Sequence, residues 1–100
     1  MHVRLTAGWQ QTLDDRIIEH LDDESWSTPG YMEIEPGIDA TKAQIRDRCR
    51  VLADAGLVAL QREEGWYIEL TTLGELYLKG EANIELYPRP RHPSILENTN

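Results

Sequence analysis

The sequence contains few of the residues on which metal binding and membrane insertion depend. Its 100 residues include one cysteine and three histidines, and the histidines lie too far apart for the usual spacing of zinc ligands. No apolar run approaches the roughly eighteen residues that a membrane-spanning helix needs, and the N-terminus lacks the apolar core of a signal peptide. We therefore expect a cytoplasmic protein that holds no metal ion and contacts no membrane.

Motifs that carry catalysis are also missing. The sequence has no Gly-rich phosphate-binding loop, no nucleophile elbow and no paired catalytic carboxylates. Its acidic runs at 14–15 and 22–24 fall at the ends of a predicted helix, where capping and solvation explain them. These absences argue against an enzyme, imply no cofactor, and leave no small-molecule ligand to be inferred.

Negative charge dominates the chain, whose formal net charge is −8. Residues 1–40 carry two basic and nine acidic side chains, residues 63–100 carry three and seven, and residues 41–62 carry five and two. Only residues 41–62 therefore carry a net positive charge. The acidic remainder, with only two lysines in the chain, is typical of proteins from salt-loving organisms, because high net charge keeps a surface soluble.

The basic segment predicts a capped helix. Thr41 followed by Gln44 forms a capping box, so the helix should begin at Lys42. Gly56 supplies the left-handed residue that ends it.

One face of this helix is apolar and carries Ile45, Cys49 and Leu52 at i, i+4 and i+7. Cys49 has two interpretations. On the apolar face it would be a buried and inert thiol. If it were exposed, its arginine neighbours would lower its pKa and make it a redox switch.

The outer face suits the major groove of DNA, where arginine recognises guanine and glutamine recognises adenine. Lys42 and Gln44 lie in the first turn, whose free backbone N–H groups and positive dipole end favour phosphate. Arg46 and Arg50 are one turn apart, so both can follow one groove. Asp47 would accept a hydrogen bond from cytosine, repel phosphate in wrong registers, or pair with Arg50 or Lys42.

Arg48 lies nearer the apolar face, and bracing the acidic residues of the first helix is as compatible with this position as facing DNA. The candidate DNA-binding residues are Thr41, Lys42, Gln44, Arg46, Asp47, Arg50 and Arg62.

Two helices are predicted before this segment. Thr12 with Asp15 caps the first helix, and Thr28 with Pro29 begins the second. Because the third helix begins only a few residues after the second, the two form a helix-turn-helix.

A hairpin and a fourth helix are predicted after Gly56. Segments 57–62 and 66–70 are extended and are joined by a short Gly-containing loop. Thr71 and Thr72 then cap a helix that closes near Gly80. Residues 1–82 would form one domain, and the proline-containing residues 83–100 an extended or disordered tail.

Three helices, a two-stranded hairpin and a closing helix in this order resemble the winged helix-turn-helix fold, which is mostly α with a small β-hairpin. DDRIIEHL from Asp14, TPGYM from Thr28, RDRCRVLADAGLV from Arg46 and YIELTTLGELYLKGE from Tyr67 are similar to small haloarchaeal regulators related to the repressor of halophage phi-H. The resemblance covers about residues 9–82. It implies a sequence-specific repressor that binds double-stranded DNA as a homodimer, with positions 42, 44, 46 and 50 facing DNA.

The tip of the hairpin departs from this pattern, because it carries Glu63 and Glu64 beside Arg62. Either the wing stands off the DNA, or binding occurs in concentrated salt, where a Debye length of about 3 Å at 1 M weakens the repulsion from phosphate. Concentrated salt also removes much of the gain from counterion release. Affinity would then depend on base contacts, shape and dimerisation, with Arg89 and Arg91 of the tail as an extra contact to phosphate.

A chain of this length buries a modest core, so dimerisation through the N-terminal segment, the fourth helix or both would add buried surface. Trp9, Trp26 and Trp66 are expected in the core or at the dimer contact rather than as platforms for base stacking.

Two functions from different classes remain. The first is a DNA-binding repressor that occludes a promoter. The second is a winged-helix domain for protein–protein association without DNA binding, which the acidic exterior and the acidic wing tip favour. The basic helix face would then be an ordinary solvated surface.

Overall fold

The computed structural model describes residues 3–62 and 66–91. Four α-helices, three short strands and a final 3-10 helix follow one another in the order α1 (Thr12–Glu24), β1 (Trp26–Ser27), α2 (Pro29–Glu33), α3 (Lys42–Asp54), β2 (Val58–Gln61), β3 (Tyr67–Leu70), α4 (Thr72–Leu78) and the 3-10 helix (Ile84–Leu86). The predicted fold, a winged helix-turn-helix with α2 and α3 as its helix pair and β2–β3 as its wing, is confirmed.

The sheet has three strands, one more than predicted. Strands β2 and β3 form the expected antiparallel hairpin, with register running from Val58 opposite Leu70 to Gln61 opposite Tyr67. Strand β1 pairs antiparallel with the other edge of β3, giving the order β1-β3-β2. A strand of two residues has no hydrophobic periodicity, so nothing in the local sequence indicates it. The predicted loop at 63–65 lies outside the described residues.

Most helix ends follow the predicted capping residues. Thr28 and Thr71 cap α2 and α4 with their side chains, and Gly56 adopts a φ of 85° just after α3. The prediction for α1 was wrong by one residue. Its N-cap is Gln11, whose N–H donates to the carboxylate of Asp14 at 3.0 Å. Thr12 is therefore the first helical residue.

The core lies between α1, α3, α4 and the inner face of the sheet. It contains the predicted inward face of α3, including Ile45 and Leu52, together with Ile17 and Ile18 of α1. Tyr77 of α4 is fully buried, and its hydroxyl donates to a carboxylate oxygen of Asp15 in α1. The helix that carries the basic residues therefore has a fixed orientation with respect to the rest of the domain.

A buried ion pair joins α1 to α3. Arg48 donates from Nε to Asp14 Oδ1 at 2.8 Å and from Nη2 to Asp14 Oδ2 at 2.9 Å. The Asp14 side chain is fully buried and that of Arg48 is 12% exposed. Of the two positions considered for Arg48, the structure shows the brace against α1. Asp14 also accepts the Gln11 N–H, so one carboxylate caps α1 and holds α3.

Residues 83–91 pack against the domain, which differs from the prediction that the tail begins at residue 83. Ala82 and Ile84 are buried in the core, and the N–H of Ile84 donates to the carbonyl of Leu5 at 3.0 Å. Asn83 forms a parallel bridge with Leu5. The long-range apolar contact of Ile84 outweighs the loop-like composition around it. The remainder of the predicted tail, 92–100, lies outside the described residues.

The start of α4 approaches the backbone of the segment before β2 too closely for a side chain. A Cβ placed on Gly74 would lie 2.4 Å from the carbonyl oxygen of Leu57 and 2.5 Å from Cδ1 of Leu70. The first neighbour is backbone and cannot move aside cheaply. Gly74 therefore permits α4 to pack directly on the wing.

We expect Gly74→Ala to destabilise the fold, because the strain of overpacking, about 1–3 kcal/mol, is larger than the roughly 1 kcal/mol that alanine gains in helix propensity. Urea unfolding at constant salt measures the difference. Gly37→Ala is the control, since a Cβ there meets nothing within 4 Å. Equal midpoints for the two variants would contradict the close approach at Gly74.

We also expect Arg48→Gln to lower the free energy of unfolding by about 3 kcal/mol or more, because it leaves the buried charge of Asp14 without its partner. Arg16→Gln is the control, since Arg16 forms a surface pair with Glu19 on α1, worth at most about 1 kcal/mol. Thermal unfolding of both variants in the same buffer tests this. A loss no larger than that of the control would show that the Asp14–Arg48 pair does not hold the fold.

Candidate nucleic-acid interface

Side-chain oxygens accept hydrogen bonds from backbone N–H groups at the start of α3. Thr41 Oγ1 accepts from the N–H of Gln44 at 3.1 Å, and the Thr41 N–H donates to Gln44 Oε1 at 2.8 Å, which confirms the predicted capping box. Glu33, the last residue of α2, accepts from the N–H of Lys42 at 2.8 Å. Besides the N–H of Gln44, which the predicted cap occupies, the N–H of Lys42 is therefore also unavailable to phosphate.

The cap limits how Gln44 can contact a base. Its Oε1 is committed to the Thr41 N–H. A contact through the donor Nε2 leaves the cap intact, whereas bidentate recognition of adenine uses both ends of the amide and requires the cap to open. Single hydrogen-bond donation is therefore the contact that this conformation supports.

Four of the candidate residues are exposed along α3, namely Lys42, Gln44, Arg46 and Asp47. Lys42 and Arg46 are four residues apart and share one side of the helix, whereas Asp47 follows Arg46 directly and points to another side. Their exposure leaves these side chains accessible to a partner.

Trp66 gathers three guanidinium groups from α3 and the wing. The Cζ of Arg50 lies 4.9 Å from the centroid of the Trp66 ring, that of Arg62 lies 5.3 Å away, and that of Arg46 lies 5.7 Å away. All three distances are within the range of cation–π attraction. We call these four residues the arginine–Trp66 cluster. It was not predicted, and it brings together three of the seven candidate residues.

Arg50 faces the protein more than the prediction assumed. Besides its contact with Trp66, its Nη1 donates to Asp47 Oδ1 at 2.8 Å, and its side chain is only 16% exposed. Of the roles considered for Asp47, the pair with Arg50 is the one present in this structure. Arg46 is therefore the more accessible of the two arginines expected to follow the groove.

The cluster could not be found from spacing along the chain. Trp66 follows Arg50 by sixteen residues and lies just before β3, beyond the whole of β2. Its partners were recognised as basic side chains, but the ring that gathers them comes into place only when the hairpin folds back onto α3.

Cys49 lies beneath this surface and is fully buried. Burial raises the pKa of its thiol to about 12, and the nearby Asp14 carboxylate adds to the rise. The adjacent Arg50 lowers the pKa only in part. A protonated thiol without solvent access is a poor nucleophile, so of the two interpretations the structure supports the inert core residue.

Cys49 should therefore resist thiol reagents in the folded protein. At pH 8 we expect an aromatic disulfide reagent to release almost no chromophore from the native protein and to react with one thiol per chain in denaturing urea. The unfolded sample is the control for reagent and concentration. Rapid stoichiometric reaction without urea would revive the redox interpretation.

Arg91, expected to contact phosphate, instead pairs with the end of α3. Its Nη2 lies 2.7 Å from Asp54 Oδ1, and its backbone N–H donates to Asp54 Oδ2 at 2.8 Å. These hydrogen bonds lower the pKa of the Asp54 carboxyl. Arg89 is exposed. The pair ties the chain after the 3-10 helix to α3.

Large apolar side chains are exposed in two groups. One group lies on neighbouring segments near the two ends of the described chain and comprises Val3, Leu5, Leu86 and Tyr87. The other lies on the side of the sheet and α2 and comprises Trp26, Tyr31, Ile34 and Tyr67. Trp26 and Tyr67 contact each other edge to face, with ring centroids 5.2 Å apart.

Other kinds of site were sought in the part of the chain that the structure describes. Over residues 3–62 and 66–91, no three His, Cys, Asp or Glu side chains converge in a way that could hold a metal ion. None of the described helices has the length and apolar character needed to span a membrane.

Comparison with known proteins gives consistent similarities. The sequence profile of the family described as winged helix-turn-helix phage repressor matches residues 1–87. The repressor protein of Halobacterium phage phiH is 34% identical over 91 residues, which cover 85% of this chain and 94% of the phage protein. The crystal structure of the PhiH1 repressor-like protein from Haloarcula marismortui superposes with a TM-score of 0.81 at 27% identity, covering 91% of this chain and all of that one.

Proposed function

Because the chain belongs to the family of winged helix-turn-helix phage repressors, we propose that it is a sequence-specific transcription repressor that inserts α3 into the major groove of double-stranded DNA. Such a protein acts by occupying an operator and needs no catalytic group. Its place of action is the cytoplasm, where the DNA is.

The observation that carries this proposal is the position of the positive charge. In an acidic protein, five of the ten basic residues fall within 41–62, and Lys42 and Arg46 are exposed on α3. Arg62 adds a cation from the wing beside the same helix. A helix with basic side chains fits the major groove in width and in charge.

The candidate residues have different roles in this proposal. Arg46, the accessible arginine of α3, recognises a base edge, and Gln44 adds a contact through its free amide nitrogen. Thr41 and Lys42 lie at the end of α3 that enters the groove. Asp47 and Arg50 hold each other, so they act on DNA through the shape of the surface.

We propose that the repressor is a homodimer. The apolar side chains of Val3, Leu5, Leu86 and Tyr87 are exposed on two segments that the Leu5–Asn83 bridge joins, so that a dimer contact there would bury apolar surface. Of the two routes considered, the N-terminal segment is favoured over α4, because the partly buried leucines of α4 already pack on the core. A two-fold dimer would bind a pseudo-palindromic site.

We infer that this protein functions in concentrated salt, because its relatives come from a haloarchaeon and from a phage of one. The net charge of −8 and the shortage of lysine support this. In such conditions long-range repulsion between the acidic surface and DNA is screened, and short-range contacts of α3 decide affinity.

The decisive experiment is selection of random duplex DNA by the purified protein in about 0.1 M and about 1 M KCl, followed by anisotropy titration of the enriched sequence. We expect a two-fold-symmetric motif. Arg46→Ala should weaken binding to it about tenfold or more and relax the preference at one position of each half-site, because a good arginine–guanine pair is worth about 1–3 kcal/mol.

Arg16→Ala, on α1, is the matched control and should bind like the unmodified protein. Unchanged affinity and preference in Arg46→Ala would remove α3 as the recognition element. If no sequence were enriched at either salt concentration, DNA recognition itself would be refuted, and the alternative of protein–protein association would be favoured.

A further inference from the structure

The arginine–Trp66 cluster assembles like charges that ordinarily separate. Three guanidinium groups, two from α3 and one from the end of β2, lie between 4.9 and 5.7 Å from one indole ring. Asp47 supplies one carboxylate, paired with Arg50 at 2.8 Å. The cluster thus gathers basic side chains in a protein whose total charge is −8.

The three arginines are gathered by an aromatic ring and not by a carboxylate. A carboxylate would attract three arginines but would also neutralise them. An indole ring attracts cations through the negative face of its π system and carries no net charge. The ring therefore holds the arginines without adding a negative charge of its own, while it limits the directions in which their side chains extend.

A surface of this kind complements a tetrahedral oxyanion. Guanidinium groups donate paired N–H bonds that match the geometry of phosphate. Arg46 and Arg62 are exposed, and they come from the two elements that border the line between recognition helix and wing. A DNA strand on that line would contact both elements, with Arg46 at a base edge and Arg62 at a phosphate.

We propose that Trp66 is a positioning residue for DNA binding, which holds Arg62 of the wing and Arg46 of α3 at one ring, so that Arg62 binds a backbone phosphate near the base that Arg46 recognises. This rests on the proposed function. It assigns Arg62 to the DNA backbone, and it gives the wing a contact with DNA even though Glu63 and Glu64 follow Arg62 in the sequence. Trp66 acts through the arginines and does not itself stack on a base.

The test is the salt dependence of binding to the selected duplex. Each phosphate contact contributes about 0.9 to the slope of log K against log[KCl], so loss of the cluster should make the slope shallower by about one. Trp66→Leu removes the ring while retaining apolar bulk. We expect it to lose about tenfold in affinity near 0.1 M KCl and to converge with the unmodified protein as salt rises.

Two further variants distinguish positioning from folding. Trp66→Phe keeps an aromatic face and should restore most of the slope. Trp26→Leu removes another partly exposed tryptophan, one that contacts Tyr67 rather than the arginines, and should leave the slope unchanged. Melting temperatures in the same buffers report any loss of structure. An unchanged slope in Trp66→Leu, or equal losses in the Leu and Phe variants, would overturn the proposal.

If Trp66→Leu does not fold, Arg62→Gln decides the question. The proposal requires its slope to fall by about one, with the base preference of the selected site retained. Arg16→Gln, on α1, is the matched control and should show no change. Equal slopes for the two arginine variants would refute a phosphate contact at the cluster. Failure of the unmodified protein to bind any duplex would instead refute the proposed function itself.

Discussion

The orientation of α3 depends on one buried carboxylate. Asp14 accepts the N–H that begins α1 and two N–H groups of Arg48 in α3, so a single side chain both caps the first helix and fixes the third. Removing a charge from water is costly, and these hydrogen bonds offset that cost only while the geometry holds. Rotation of α3 would break the pair and bury an unmatched charge. The inner side of α3 is thus held by an ion pair as well as by apolar packing. These two contacts fix the direction in which its outer face points.

Acidic and basic residues are distributed unevenly along the chain. Acidic residues cover most of the domain, and the cations of α3 and the wing form one region held by Trp66. The acidic surface repels the phosphate backbone, so that nucleic acid can approach only at this basic region. The region need not attract DNA strongly for this selection to work. The attraction of the start of α3 for phosphate is also reduced, because Glu33 accepts the hydrogen bond of the Lys42 N–H, a group that could otherwise donate to phosphate. Weak general attraction with a small cationic site is consistent with a protein that relies on close contacts.

Local signals in the sequence predicted much of this fold. The capping box of Thr41 and Gln44 and the left-handed Gly56 depend on neighbouring residues, and both were confirmed. Contacts between distant segments were not predictable in the same way. The burial of Ile84, the two-residue strand β1 and the gathering of arginines on Trp66 each arise when separate elements pack together. The residue types of the candidate interface were therefore visible in the sequence, whereas their partners and the inward turn of Arg50 were not.

The bridge between Leu5 and Asn83 has a consequence for the order of folding. These residues are 78 positions apart (83 − 5), so their pairing closes nearly the whole described chain into one loop. Such a closure has a high entropic cost unless the intervening elements are already compact. During synthesis the segment around Leu5 leaves the ribosome well before residue 83, yet its site on the domain exists only after α4 is made. A segment that is synthesised before α1 is thus among the last to dock.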